Sequence, residues 1–294
     1  MIRTRFAPSP TGKLHLGHLL AARVAWEIAK ISEKGTFLLR HEDLDRTRVR
    51  EPYYREIEDD LHWLGIGWPE PPIRQSQRSA AYAEAFEKLH SLGVLYPCFC
   101  TRREIQEEQA RMANAPHGAE HDLYPDTCRR LSNTERQEKI AAGLPHAWRL
   151  DAAKATAITG PLTFHDLRFG KTPVDPRLLG DVVLSRKDIG TAYHLAVVVD
   201  DAFQEITHVT RGEDLLDSTH VHRLLQTLLG YPAPVYLHHG LMRDESGKRL
   251  AKRNESLSLA ALKQRGLTPA DVLALTDAQA SKALGFWQRP TPLS

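Results

Sequence analysis

Two strand-like segments joined through one helical segment open the chain, and this order strongly limits the folds that the chain can adopt. Residues 2–6 and 36–41 have the apolar character of strands. Between them, apolar residues recur at helical spacing, at Leu19, Leu20, Val24 and Ile28. Parallel strands need a long crossover connection of this kind, and such crossovers are right-handed. The pattern predicts a βαβ unit and an α/β fold built on a parallel sheet.

The same alternation returns later in the chain, after a polar interruption. Helical patterns occupy residues 51–64 and 80–92. Residues 98–188 are polar and irregular apart from a capping box that begins at Ser132. The apolar run 193–199 then predicts a buried strand, and a helical stripe after it ends at Gly230. We therefore expect one sheet domain that is interrupted by an inserted module.

Length and composition agree with a globular protein of about two domains. The 294 residues include 39 Lys and Arg against 37 Asp and Glu, a net charge of +2, with 41% hydrophobic residues. No apolar stretch has the length of a membrane span, and three cysteines cannot all pair, so we expect a cytoplasmic protein without a membrane partner. We also expect a monomer. The predicted division is residues 1–95 and 191–238 for the two halves of the sheet domain, 96–190 for the insertion, and 239–294 for a basic loop with small helices.

The connection between the first strand and the first helix carries the first chemical motif, with His15, Gly17 and His18. Ligands of open parallel sheets bind where the strands end, and a helix N-terminus there offers N–H groups to phosphate. Gly17 would let a nucleotide approach the backbone, and both histidines could donate hydrogen bonds to a phosphate under attack. The alternative is a turn with two solvent-facing histidines. Together with residues 7–12, the motif resembles the HIGH signature of class I aminoacyl-tRNA synthetases, which implies ATP binding.

A second motif places four cations within six residues, at Lys248, Arg249, Lys252 and Arg253. By itself, such a cluster is typical of a solvated surface. With this position in the chain, the motif resembles the KMSKS loop of the same synthetase class. The resemblance implies that Lys252 binds the phosphates of ATP, together with Arg249. Arg249 stands where the first lysine is usual and Ala251 where a serine is usual, so one hydroxyl is lost while the charge is kept.

Charged residues at predicted strand ends suit an acidic amino acid as substrate. A side-chain carboxylate needs a fixed guanidinium, and an α-ammonium needs an acidic or polar partner, although Glu42 and Arg211 could instead be structural ion-pair partners. Four segments, residues 5–10, 41–46, 192–201 and 209–214, are similar to segments of glutamyl-tRNA synthetases. The resemblance implies that glutamate is bound by Arg5, Ala7, Ser9, Glu42, Tyr193 and Arg211, with Arg5 or Arg211 holding its γ-carboxylate.

The three cysteines, Cys98, Cys100 and Cys128, lie within 31 residues. Clustered thiols in a reducing compartment are typical of a metal site, and tetrahedral Zn²⁺ requires a fourth ligand. By chemistry alone His117 or His121 is the better fourth ligand, and three buried free thiols are the remaining alternative. The spacing resembles the zinc knuckle of the glutamyl-queuosine tRNA(Asp) synthetases, which implies Tyr124 as the fourth ligand of one structural zinc ion.

These resemblances imply a Rossmann-like class I catalytic domain with an inserted zinc-knuckle subdomain. The implied reaction uses ATP and Mg²⁺ to activate L-glutamate without tRNA, then transfers glutamate to the cyclopentene diol of queuosine in the anticodon of tRNA(Asp). Because the sequence stops at Ser294, we expect no anticodon-binding domain, so that the anticodon stem-loop itself enters the site along basic residues such as Arg102, Arg103, Arg129 and Arg130. Two alternatives are a short glutamyl-tRNA synthetase that charges the tRNA 3′ end and a non-catalytic tRNA-binding module.

Overall fold

The computed structural model describes residues 1–113, 124–187, 190–242 and 257–287, with strands and helices in alternation. The strands are β1 (Arg3–Phe6), β2 (Thr36–His41), β3 (Ile73–Arg74), β4 (Leu95–Cys98), β5 (Ala147–Leu150), β6 (Thr163–Asp166), β7 (Gly170–Pro173), β8 (Val183–Arg186), β9 (Gly190–Thr191), β10 (His208–Gly212) and β11 (Val235–His239). The α-helices are α1 (Leu16–Lys30), α2 (Pro52–Trp63), α3 (Ser79–Ser91), α4 (Arg102–Ala113), α5 (Asn133–Ala141), α6 (Ala152–Thr159), α7 (Tyr193–Phe203), α8 (Leu216–Leu229), α9 (Leu259–Gln264), α10 (Pro269–Ala274) and α11 (Asp277–Trp287).

The predicted βαβ unit and its parallel sheet are confirmed. Strands β1, β2 and β3 pair in parallel, and β10 pairs in parallel with β11, which in turn pairs in parallel with β6. The Thr207 amide donates to the Arg3 carbonyl at 3.0 Å, which places β10 beside β1 and joins the two halves. Helix α1 packs on β1 and β10, since its buried face carries Leu19, Ala22 and Val24.

The apolar run at residues 193–199 is not a strand, and that prediction is wrong. It begins helix α7, in which every residue from Leu195 to Asp201 is buried. A helix that is covered on all sides has no polar face, so its sequence loses the 3.6-residue period and cannot be told from a buried strand. Helix α7 packs on α8, whose predicted end at Gly230 is confirmed by a left-handed backbone there, with φ of 74°.

The stretch between residues 98 and 188 is more regular than its polar sequence indicated. Strands β4, β5, β8 and β9 form an antiparallel sheet that carries Cys98 at its edge. Strand β6, which also lies within the predicted insertion, instead pairs with β11 of the parallel sheet. The predicted capping box is confirmed, because the Ser132 hydroxyl accepts from the Glu135 amide and the Glu135 carboxylate accepts from the Ser132 amide.

Small helices follow residue 257, and they cover helix α1. Leu259, Leu262 and Val272 join the apolar cluster on one side of α1, and Ala280 and Ala283 join the cluster on the other. This packing brings the start of α9 next to the start of α1. Among the described residues, no helix combines the length and the apolar character needed to span a bilayer.

Candidate active site

A cavity of about 680 Å³ opens where β1, β2, β10 and β11 end. This is the edge at which a parallel sheet with helical crossovers binds ligands. The cavity brings together nine of the residues that the sequence singled out: Arg5, Ala7, Ser9, His15, Gly17, His18, Glu42, Tyr193 and Arg211. Lys252 and Arg249 lie outside the described residues, and their roles stay predictions.

His15 and His18 cap the N-terminus of helix α1 and are locked by it. The Gly17 amide donates to Nδ1 of His15 at 3.1 Å, and the His15 amide donates to Nδ1 of His18 at 3.3 Å. The two rings stack with centroids 3.8 Å apart. Because each Nδ1 accepts a hydrogen bond, a neutral ring carries its hydrogen on Nε2. The helix start therefore fixes two imidazole N–H groups at the cavity.

Gly17 is needed for this arrangement of the two rings. A Cβ atom at residue 17 would lie 3.0 Å from Cε1 and 3.2 Å from Nδ1 of His15. A side chain there would therefore require the His15 ring to shift by a few tenths of an ångström. The glycine provides space for the imidazole, in addition to the space for a nucleotide that the sequence suggested.

Two arginines of the sheet share one buried aspartate that the sequence analysis did not single out. Asp201 on α7 accepts from Nε of Arg5 at 2.9 Å and from Nη1 of Arg40 at 2.7 Å. Arg40 also reaches Oε1 of Glu42 at 3.4 Å. Burial raises the pKa of Asp201, but the two guanidinium groups outweigh it and hold that pKa below its usual range. Asp201 thus offsets part of the positive charge of Arg5, because its one negative charge is shared between Arg5 and Arg40.

Glu42 directly follows β2 and lines the cavity, where burial and nearby arginines act on its pKa in opposite directions. Burial raises the pKa of its carboxyl above the usual range, and the nearby Arg40 and Arg5 offset this only in part. A cationic ligand group placed beside Glu42 would stabilise the carboxylate form. This is the behaviour that a partner for an ammonium group needs.

Arg211 on β10 has a different environment from Arg5, since its hydrogen-bond partners among the described residues are uncharged. Its guanidinium donates to Nε2 of His238 at 3.0 Å and to Oγ1 of Thr219 at 2.7 Å. It also contacts Nδ1 of His222 at 3.2 Å and the Tyr193 hydroxyl at 3.4 Å. The residue is 5% exposed. Among the described residues its contacts include no carboxylate, so a buried positive charge at the cavity wall is left for a ligand to meet.

The two ends of the segment that holds the basic motif meet at this cavity. Met242 lines it on one side of residues 243–256, and on the other side Ser258 forms an antiparallel bridge with His15. Sequence reasoning did not single out His239, Leu241 or Met242. His239 ends a parallel strand, so the rule that selected the other strand-end residues could have found it.

The three thiols form a second cluster, in the insertion. Their sulfur atoms lie within 4.8 Å of one another, with Sγ of Cys100 and Cys128 at 3.4 Å. The Tyr124 oxygen lies 3.4 Å from Sγ of Cys98 and 3.6 Å from Sγ of Cys100. Ligands of a tetrahedral zinc ion with Zn–S bonds of about 2.3 Å are themselves about 3.8 Å apart, so the residues fit this metal. His117 and His121 lie outside the described residues.

Comparison with known proteins places this architecture in one family. The profile of the tRNA synthetases class I (E and Q), catalytic domain, matches residues 1–276. The glutamyl-Q tRNA(Asp) synthetase of Rhodobacter capsulatus is 46% identical over 281 residues, which cover 92% of this chain and 98% of that protein. The enzyme of the same name from Nocardia farcinica is 44% identical over 288 residues, which cover 97% of this chain and 86% of that protein.

A crystal structure of a glutamate tRNA ligase from Elizabethkingia meningosepticum, in complex with its amino acid, has the same fold. It matches with a TM-score of 0.72 at 31% identity, over 86% of this chain and 52% of that protein. The chain thus spans about half the length of that ligase. The fold and the site define a class I synthetase-type catalytic domain. The chain belongs to the class I tRNA synthetases for glutamate and glutamine, a family of ligases.

Proposed function

We propose that this chain activates L-glutamate with ATP and transfers it to queuosine in the anticodon of tRNA(Asp). One observation supports the proposal: the same cavity is lined by His15 and His18 at the start of α1 and by Arg211 and Glu42. The two histidines suit phosphate chemistry. Arg211, which has no carboxylate contact among the described residues, and Glu42 suit a dicarboxylic amino acid. Relatives named glutamyl-Q tRNA(Asp) synthetase, similar over nearly the whole chain, support the choice of acceptor.

The first step is an in-line attack by the glutamate α-carboxylate on the α-phosphorus of ATP. A C–O–P mixed anhydride forms, the bond to the β-phosphate oxygen breaks, and Mg²⁺-pyrophosphate leaves. Catalysis of phosphoryl and nucleotidyl transfer consists mainly of positioning and charge stabilisation. The Nε2–H groups of His15 and His18 are proposed to donate to the phosphate oxygens, while Gly17 lets the nucleotide approach the helix start. Lys252 and Arg249 are proposed to neutralise the leaving pyrophosphate.

In the amino-acid subsite, Arg211 is proposed to bind the γ-carboxylate. The sequence left Arg5 and Arg211 as equal candidates, and the Asp201 contact to Arg5 favours Arg211. Glu42 is proposed to receive the α-ammonium, whose charge would stabilise its carboxylate form. Ala7, Ser9 and Tyr193 complete the wall around the substrate, and Arg5 orients the subsite through Asp201.

The second step transfers glutamate to the RNA. A hydroxyl of the queuosine cyclopentene diol attacks the carbonyl carbon of glutamyl-adenylate, an ester forms, and AMP leaves. We propose that the anticodon stem-loop enters the same cavity for this step. Arg102 and Arg103 are exposed, Arg103 being paired with the exposed Glu107 at 3.4 Å, and both are proposed to contact the RNA backbone. Arg129 is instead bound to Asp151 at 3.1 Å, which makes it a weaker candidate for RNA binding.

The insertion is proposed to hold one structural zinc ion through Cys98, Cys100, Cys128 and Tyr124. Such an ion crosslinks its ligands and supplies folding free energy, without taking part in the reaction. Phe99, Cys98 and Tyr124 pack in one cluster with Cys128, so the metal would stiffen the edge of the β4–β5–β8–β9 sheet.

The deciding experiment incubates the protein with ¹⁴C-glutamate and ATP, with tRNA(Asp) that carries or lacks queuosine, and then maps the label on the RNA. We expect label in the anticodon loop of the queuosine form only, and glutamate-dependent ATP–pyrophosphate exchange without any tRNA. A parallel incubation uses tRNA(Glu), and label on its 3′ end would establish ordinary charging instead, the activity named for the structurally similar ligase. Absence of glutamate-dependent exchange under all conditions would refute the proposal.

A further inference from the structure

Arg211 is held by a group of side chains that the synthetase motifs do not contain, here called the Arg211 cradle: Thr219, His222 and His238. They come from α8 and β11, and each presents a hydrogen-bond acceptor to the guanidinium. All three are buried. Acceptors of this kind fix the plane of the guanidinium without offsetting its charge, whereas the Asp201 carboxylate fixes Arg5 and also offsets part of its charge.

The direction of the hydrogen bonds in the cradle follows from one chemical fact. Arginine donates and never accepts, so each imidazole nitrogen that faces it must present a lone pair. In His238, Nε2 faces Arg211 and the hydrogen lies on Nδ1, which is 2.6 Å from Oδ2 of Asp166. In His222, Nδ1 faces Arg211 and the hydrogen lies on Nε2, which is 3.1 Å from Nδ1 of His194.

Asp166 makes the His238 tautomer obligatory. Its Oδ1 accepts from the Arg168 amide at 2.8 Å and from the Phe169 amide at 3.0 Å, so the carboxylate cannot rotate without losing both bonds. Its Oδ2 therefore always presents an acceptor to His238. Burial lowers the pKa of His238, and burial together with Arg211 lowers the pKa of His222, in agreement with two neutral rings.

We infer that His222 and His238, with Asp166 behind His238, are positioning residues that orient Arg211 while leaving its charge for the γ-carboxylate of the amino acid. The inference rests on the proposed function and deepens it, since it names the source of selectivity for glutamate over glutamine. Glutamine has a neutral amide in place of the carboxylate, so it gains little from an uncompensated guanidinium. A carboxylate in the cradle would neutralise Arg211 and remove this preference.

Two pairs of variants separate the effect of the hydrogen-bond acceptor of each histidine from the effect of its side-chain volume. His238→Gln keeps an oxygen near the position of Nε2, and His238→Leu keeps the bulk without an acceptor. His222→Asn keeps an oxygen near the position of Nδ1, and His222→Leu does not. The readout is ATP–pyrophosphate exchange, with KM measured separately for glutamate and ATP, and with rates compared between glutamate and glutamine. Circular dichroism checks that each variant is folded.

We expect each leucine variant to raise KM for glutamate roughly 10- to 100-fold, the range for a lost hydrogen bond to a charged group. KM for ATP should stay within about twofold, and the preference for glutamate over glutamine should fall by a factor similar to the rise in KM. His238→Gln and His222→Asn should recover most of both losses. Asp166→Asn should resemble His238→Leu, because an amide that donates to Nδ1 of His238 moves its hydrogen to Nε2, toward Arg211.

Three outcomes are decisive. Folded leucine variants that keep the wild-type KM for glutamate would overturn the positioning role and leave the proposed function intact. Equal losses for glutamate and ATP, without recovery in the Gln and Asn variants, would assign these histidines to packing alone and also overturn the inference. If one leucine variant does not fold, the comparison between the two variants of the other histidine decides whether the inference holds. A wild-type protein without glutamate-dependent exchange would overturn the proposed function itself.

Discussion

The backbone of Ser258 forms an antiparallel bridge with His15, and one residue further on the Leu259 amide donates to the Leu14 carbonyl at 2.9 Å. The chain that follows residues 243–256 thus lies beside the histidines that cap α1. Met242, which precedes that segment, lines the same cavity as His15, so both described flanks of the basic motif lie at this site.

Replacing Lys252 with alanine should lower glutamate-dependent ATP–pyrophosphate exchange by roughly 10²- to 10³-fold, the cost of losing one donor to developing negative charge. Folding should be unaffected, as judged by the melting temperature. Lys34→Ala removes a charge from an exposed position on the connection after α1 and serves as the matched control. Wild-type exchange in Lys252→Ala would refute the role assigned to this lysine.

Gly17→Ala should lower the activity without lowering the stability. Its Cβ atom would lie 3.0 Å from Cε1 of His15, so that ring would have to shift by a few tenths of an ångström, and kcat for exchange should fall by up to roughly 10-fold. Alanine favours a helix over glycine by about 1 kcal/mol, so the melting temperature should not fall. Gly12→Ala is the control in the same connection, because a Cβ there has no atom within 4 Å. Equal activity of the two variants would contradict the proposed fixing of His15.

Local patterns in the sequence predicted the parts of this fold that depend on neighbours in the chain. Helix α1 was predicted because its exposed face keeps a 3.6-residue period, whereas α7 was predicted wrongly because it has no exposed face. The sequence predicted residues that line the cavity because they lie within a few short motifs. The partners of Arg5 and Arg211 were not, since Asp201 lies 196 residues from Arg5, and His238 lies 27 residues from Arg211. Side-chain pairing over such distances depends on tertiary packing, which no local pattern encodes.

Metal analysis should find one zinc ion per chain, and Cys100→Ser should lose it together with several degrees of melting temperature. Tyr124→Phe tests the fourth ligand, because it removes only the oxygen that lies 3.4 Å from Sγ of Cys98. We expect Tyr124→Phe to release zinc to a chelator at least about 10-fold faster than the wild type, the order of effect for perturbing a metal shell. His117→Ala and His121→Ala are the controls. Wild-type zinc retention in Tyr124→Phe, with loss in either histidine variant, would reassign the ligand.

The buried histidines predict that the protein becomes less stable as the pH falls from about 6.5 to about 4. Burial lowers the pKa of His194 and of His208 to about 4 in the folded state. Below the ordinary histidine value the unfolded chain binds protons that the native rings do not, so the free energy of unfolding falls with falling pH. The contribution is complete above pH 6.5 and is lost as the pH falls toward 4. His194 adds a slope of up to about 1.4 kcal/mol per pH unit within this window, and the more exposed His208 adds less because solvent screens it.

His194→Asn tests this contribution, since the asparagine oxygen lies near the position of Nδ1 and can still accept a hydrogen bond from His222 but does not titrate. Urea unfolding at several pH values should give a slope smaller by up to about 1.4 kcal/mol per pH unit between pH 6 and 4.5 than in the wild type. His90→Asn replaces an exposed histidine and is the matched control. Parallel stability curves for His194→Asn and the wild type would mean that His194 takes up its proton over the same pH range in the folded and the unfolded protein, and would contradict the predicted contribution.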